Sequence, residues 1–318
     1  MRNRPLDIAK AIGIILVVIG HFFPAGSPHW YEIVRQVIYS FHMPLFVFIS
    51  GFVYIYAYND SVSYGTVLAK KFRRIALPYF MVSFAFIAIK LLMQILGVYL
   101  KNPVSAESFL RVFWQPEAAV SFWYLWALWW FYMIVPLFRT RKSRLLLFVL
   151  VSLISFLPLN LPDIFSLPKT REMFPYFMLG ALMADWDRDW TVFRRLPTYV
   201  WYLLFAVCVL LWQCLGIRLG IVLALSGAAS VICVSESLVR LIDRGHLLWL
   251  DKVSRSSYLI YLLHPIFIAA VLALIHKAGP AMSNEMFFIP AMCLACFLAV
   301  TGPMLVGMVL KKIFDHGR

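Results

Sequence analysis

Leu6-Asp7-Ile8-Ala9-Lys10-Ala11-Ile12-Gly13-Ile14-Ile15-Leu16-Val17-Val18-Ile19-Gly20-His21 is an apolar run that carries three ionisable side chains. As a helix it enters a bilayer, and eleven helical steps bring Lys10 and His21 almost to one azimuth, about 16 Å apart along the axis. Asp7, three residues before Lys10, joins that face. Ionisable groups in a membrane helix are costly and mark a pathway or a site.

The rest of the chain places that helix among many others. Of 318 residues, 63% are hydrophobic and 14% charged, well below the roughly 25% charged of a soluble domain. Repeated apolar runs near membrane-spanning length, joined by short basic loops, predict an all-α, polytopic integral membrane protein. About ten transmembrane helices are expected, near 8–24, 34–58, 75–99, 121–138, 145–160, 172–185, 199–215, 220–239, 256–275 and 286–310. The fifth and sixth are short and have Pro158 and Pro175 at or within them, so tilted, broken or re-entrant forms are expected there. The expected organisation is a single transmembrane domain over 1–318 without a separate soluble domain.

Charge orients the bundle. Most of the 29 lysines and arginines fall in alternate loops, among them Lys70 to Arg74, Arg139 to Arg144, Arg188 to Arg195, Arg240 to Arg255 and Lys311 to Arg318. That bias predicts cytoplasmic N- and C-termini. The net charge of +14 is then a matter of topology and anionic lipid, and nucleic acid is not expected as a partner. Asp7 and Lys10 interrupt what otherwise looks like a signal peptide, so a retained first helix is expected. The five cysteines all lie in apolar spans, which argues against a disulfide framework, and Cys293-x-x-Cys296 has no polar ligands nearby in sequence. No metal site is expected.

Each polar residue in a span has two readings. Lys10 lies near the cytoplasmic boundary, where a lysine can snorkel to the headgroups. His21 can act as base, acid or acyl carrier. His42 stands two residues before Pro44, which removes a backbone donor and crowds the carbonyl of Ser40; the histidine then either serves the kink or lines a cavity. His264, followed by Pro265, has the same two readings at mid-membrane. Lys70, Lys71, Arg73 and Arg74 at a helix entrance suit lipid phosphates or a soluble polyphosphate equally. Ser226-Gly227-Ala228-Ala229-Ser230 gives the eighth span a small face for close packing. Trp123, Trp126, Trp129 and Trp130 read as an interfacial belt or as a stacking wall for a sugar, the belt being the ordinary role.

Four motifs in this order carry a resemblance: Lys10 through His21; Phe41-His42-Met43-Pro44 through Ser50-Gly51; Lys71-Phe72-Arg73-Arg74 ahead of Pro78; and Ser257-Tyr258 through His264-Pro265. Together they resemble the membrane-bound acyltransferase family 3, in its branch related to fucose 4-O-acetylases. Lysine stands at positions 10 and 71 where the family usually has arginine. The resemblance implies transfer of an acyl group, commonly acetyl, from cytoplasmic coenzyme A thioester to a hydroxyl of a cell-envelope glycan or glycolipid, in a bacterial inner membrane. No permanently bound cofactor is implied, because acetyl-CoA or another acyl-CoA is a donor substrate.

On that implication His21 is the general base for the acceptor hydroxyl or a transient acyl carrier. Asp7 orients or pairs with Lys10, and Lys10 holds a phosphate or helps position the donor. His42 and His264 shape the acceptor site or stabilise developing charge on the thioester carbonyl, Ser50 is a supporting or acceptor-site residue, and Lys70, Lys71, Arg73 and Arg74 take the donor phosphates. Proton-coupled transport of a glycan or small solute is the rival reading, since intramembrane histidines and a proline-broken helix suit it too. Against it stand the absence of a convincing internal repeat and the cations at a cytoplasmic mouth.

Overall fold

A computed structural model describes residues 3–57, 62–98, 100, 102–187, 196–279 and 282–316, and no strand occurs among them. The helices are α1 (Arg4–His21), α2 (His29–Tyr56), α3 (Tyr64–Lys71), α4 (Leu77–Ile95), α5 (Ser108–Arg111) and α6 (Trp123–Ile134), followed by α7 (Arg141–Phe156), α8 (Leu167–Trp186), α9 (Thr198–Leu215), α10 (Gly220–Asp243), α11 (Leu248–Ala278) and α12 (Glu285–His316). Among the described residues, seven helical stretches are long and apolar enough to cross a membrane: His29–Tyr56, Tyr64–Ile95, Val120–Leu137, Thr198–Leu215, Gly220–Asp243, Leu248–Ala278 and Glu285–Lys312. The other three expected spans correspond to α1, with Arg4, Asp7 and Lys10 in its first turns, to α7, of 16 residues, and to α8, with Lys169, Arg171, Glu172 and Asp185. Of the loop cations used above for orientation, Arg188, Arg194, Arg195 and Arg318 lie outside the described residues, as do Arg2 and Lys101.

The chain divides into two compact units, Met1–Leu45 with Phe193–Arg318, and Phe46–Val192. In the first, α1 packs against α10, α11 and α12, and α9 packs on α10. Asn3 starts α1 by accepting the Leu6 N–H at 3.3 Å, with Pro5 in the first turn. Its Leu6, Ile8, Ala9, Ala11, Ile14, Val17 and Val18 are buried, as suits a helix inside its unit. Arg4 pairs with Asp243 at the end of α10. The small face expected on α10 is used: a Cβ on Gly227 would come within 2.7 Å of the Phe41 side chain. All five cysteines are free, with Cys208 and Cys233 buried and Cys214 and Cys293 exposed on the helix surface.

In the second unit, α7 packs on α8 and α8 on α6. The last turns of α2 cross α8 at backbone contact. A Cβ on Gly51 would lie 1.9 Å from the Phe177 carbonyl oxygen, and one on Gly180 would lie 2.0 Å from that of Phe48. Only glycine lets two backbones meet this closely. Arg144 and Asp185 tie α7 to α8 through Nε–Oδ2 and Nη2–Oδ1 contacts of 2.7 Å each, and Arg144 Nη1 also donates to the carbonyls of Phe138 and Arg139. The tryptophans of α6 turn partly inward: Trp126 packs edge-on to Tyr79 and Phe165, and Trp130 Nε1 donates to the Phe165 carbonyl.

The helix that carries the cations and the third expected span starts earlier than the span, at Tyr64, capped by Ser63, whose hydroxyl accepts the Thr66 N–H. Lys70 and Lys71 end α3, and Arg73 and Arg74 lie in a π-helical turn, Phe72–Ala76, that runs directly into α4. Pro78 has no N–H to give the Arg74 carbonyl, and the Leu77 N–H reaches back five residues to Phe72. The wide turn is how the helix absorbs that proline without breaking.

Candidate functional site

The first unit gathers three histidines. His21 closes α1, His42 lies inside α2 and His264 lies inside α11. The rings of His21 and His264 are 4.9 Å apart, centroid to centroid, and nearly perpendicular. Tyr39 joins His21 at 5.9 Å and His42 at 4.9 Å, so four rings form a continuous row.

Each histidine is held the same way. Nδ1 lies 2.7 Å from the Val17 carbonyl in His21, and 2.8 Å from the Ile38 carbonyl in His42. In His264 it lies 3.0 and 2.9 Å from the carbonyls of Ile260 and Tyr261. A carbonyl oxygen only accepts, so Nδ1 carries the proton in all three rings and, in the neutral ring, Nε2 carries the lone pair. That is the tautomer a general base needs.

His264 serves the kink, the first of its two readings. Pro265 cannot donate to the Tyr261 carbonyl, and the His264 Nδ1–H supplies that missing bond. Its Nε2 is completely buried and has no partner among the described residues. His42 differs: it bonds Ile38, and Ser40 Oγ donates to Val37 at 2.6 Å. Neither side chain serves the Ser40 carbonyl that Pro44 leaves without its donor.

The position of His21 is fixed from α2. The last carbonyls of a helix lack intrahelical partners. Here Tyr31 Oη donates to Ile19 (2.5 Å) and Phe22 (2.7 Å), Arg35 Nε to Gly20 (3.0 Å), and Tyr39 Oη to Gly20 (3.3 Å). These residues recur every fourth position along one face of α2, and the arginine also suits the negative end of the α1 dipole. Gly20 leaves room for the Tyr39 ring, since a Cβ there would lie 2.7 Å from Tyr39 Cε2. The Tyr31-x3-Arg35-x3-Tyr39 spacing was visible in the sequence but went unused, because Arg35 reads as one more loop-proximal cation.

The remaining candidates have other settings. Lys10 pairs with Asp7 at 3.4 Å, in the i,i+3 relation their spacing allows. Ser50 belongs to the second unit, where its hydroxyl is 2.9 Å from that of Tyr124. In the same unit Lys71 lies over the Tyr132 ring at 3.5 Å, with Tyr54 at 5.4 Å, a half-buried cation–π pair. Lys70, Arg73 and Arg74 are exposed. Among the described residues no three His, Cys, Asp or Glu side chains converge as a metal site.

A family model described as an acyltransferase domain matches residues 3–308, nearly the whole chain. This chain belongs to the acyltransferase 3 family. It is similar to Nodulation protein NolL of Sinorhizobium fredii, 27% identical over 197 residues, covering 58% of this chain and 49% of that protein. Nodulation protein NolL of Mesorhizobium japonicum is 25% identical over 202 residues, covering 58% of this chain and 48% of that protein. The chain thus spans about half the length of the two relatives it matches. No solved structure matches the chain.

Proposed function

We propose that this protein is a membrane O-acyltransferase that moves an acyl group, acetyl in the first instance, from cytoplasmic acyl-CoA to a hydroxyl of a cell-envelope glycan or glycolipid. In this reading α1, α7 and α8 also cross the membrane, giving about ten spans with both termini cytoplasmic in a bacterial inner membrane. Family membership favours acyl transfer over the rival transport reading.

The observation that carries the proposal is the 2.7 Å bond from His21 Nδ1 to Val17. It leaves Nε2 of His21 as a base within the row, between His264 and Tyr39. Nε2 takes the proton from the acceptor hydroxyl as its oxygen attacks the thioester carbonyl. The C–S bond then breaks, and the coenzyme A thiolate leaves with the proton that His21 returns. Buried Nε2 of His264 and His42 behind it give the transient imidazolium polar company in an otherwise apolar setting.

Lys70, Lys71, Arg73 and Arg74 take the donor phosphates, the exposed cations directly and Lys71 through the charge it keeps over Tyr132. Asp7 and Lys10 orient the donor, and Ser50 contributes to the acceptor site through its partner Tyr124. The test is transfer of labelled acetyl from acetyl-CoA to envelope glycans by the purified protein in nanodiscs, with mass spectrometry of those glycans in cells with and without it. Absence of both coenzyme A turnover and glycan acylation would overturn the proposal.

A further inference from the structure

Arg35 does more than cap α1. Its Nε is committed to the Gly20 carbonyl at 3.0 Å, and its guanidinium carbon lies 3.8 Å from the Phe23 ring centroid and 5.2 Å from that of Tyr39. The group is therefore fixed in place against the carbonyl of Gly20, the residue before His21. No carboxylate pairs with its guanidinium among the described residues, and its other polar side-chain neighbour is the Tyr39 hydroxyl. Nearby acids are engaged elsewhere: Glu32 faces His29, and Glu285 accepts from Trp30.

A cation held at the end of a membrane helix without a counter-ion is costly unless an anion reaches it. The histidine row also opens on this side. His264 and His42 are 0% and 2% exposed, whereas Tyr39 is 42% exposed and both His21 and Arg35 are half-buried. The accessible side of His21 is therefore the one it shares with Tyr39 and Arg35. A guanidinium fixed by Nε presents its two Nη groups as a planar fork, the shape that takes two oxygens of one carboxylate or phosphate.

We propose that Arg35 is the specificity residue of the acceptor site: it grips a carboxylate or phosphate on the acceptor and so sets a neighbouring hydroxyl against His21. The acceptor is accordingly an anionic sugar, either acidic in itself or carried on a phosphate. The inference rests on the acyltransferase reading in treating this anion as part of the acceptor.

The test is thermal melting of the purified protein in phosphatidylcholine nanodiscs, titrated with glucuronate, methyl phosphate and, as a neutral control, glucose. Ligand that binds only the folded state raises Tm. Glucuronate or methyl phosphate should raise Tm where glucose does not. Arg35→Gln should weaken the effect about tenfold or more in concentration, and Arg35→Lys, which keeps the charge without the fork, should fall between. His21→Gln should keep the anion effect while losing transfer, which separates failure of this inference from failure of the acyltransferase reading.

No stabilisation of the unsubstituted protein by either anion would overturn the inference, whatever the folding of the variants. So would an unaltered anion effect in Arg35→Gln. Stabilisation that comes from adding phosphatidylglycerol to the disc, with no response to glucuronate or methyl phosphate, would make the partner a bilayer lipid and overturn it as well.

Discussion

His21 and His264 meet edge to face, 4.9 Å between ring centroids, though 243 residues separate them in the chain. Each ring gives its Nδ1–H to its own helix, so the pair is set by two separate backbones rather than by a bond between the rings. The two histidines should therefore fail differently when replaced.

His21→Gln should fold with near-normal stability and lose transfer by about 10²- to 10⁴-fold, the usual contribution of a general base. The measurement is acetyl transfer at saturating acetyl-CoA alongside thermal melting. Full activity in a folded variant would remove His21 from the chemistry.

His264→Ala should lower Tm as well as activity, because it also strips the donor that serves the Tyr261 carbonyl above Pro265. A buried polar group left without its partner costs about 1–3 kcal/mol. Replacing Pro265 with alanine restores a backbone donor to that carbonyl, so the double variant should recover stability but not activity.

Arg73→Gln and Lys71→Met should separate within one cation cluster. Exposed Arg73 should raise the acyl-CoA concentration needed for half-maximal rate and leave melting unchanged. Lys71, over Tyr132, should affect both, since a desolvated cation–π pair contributes about 2 kcal/mol. Unchanged donor affinity in the two variants would leave the cluster to lipid phosphates.

Asp185→Asn should destabilise the second unit without touching the histidines. Arg144 and Asp185 are only 8% and 12% exposed at their side chains, and removing one charge of such a pair costs about 3–5 kcal/mol. Replacing both with leucine should recover much of the loss, as read by melting temperature.

Gly51→Ala should be more damaging than an ordinary glycine-to-alanine change in a helix. The added methyl would meet the backbone carbonyl of Phe177, which cannot swing aside as a side chain can. Overpacking of this kind costs about 1–3 kcal/mol or more, and Gly180→Ala should behave alike.

Some of this was legible because it is local. The period of apolar residues and the charge balance specify membrane helices, and the small face around Gly227 reads directly as a packing surface. Pro78 lies in plain view, but its consequence does not: it widens the helix into a π turn instead of starting a new one, since an N-cap at Ser63 had already committed the backbone upstream. Arg144 and Arg35 looked like two more basic residues near helix ends. Their partners, Asp185 and the Gly20 carbonyl, lie 41 and 15 residues away, beyond the reach of any helical period.

By itself the sequence determined the solvent of this protein, its all-helical class and the residue types able to do chemistry, because hydropathy, proline positions and imidazole chemistry are properties of short stretches. Only the tertiary structure decided that the rings of His21, His42 and His264 come together in one row through Tyr39, which nitrogen of each is bonded to its own helix, and that Arg35 stands beside them. Those outcomes depend on how α1, α2 and α11 pack and on which orphan carbonyls each side chain reaches. No single helix carries that information.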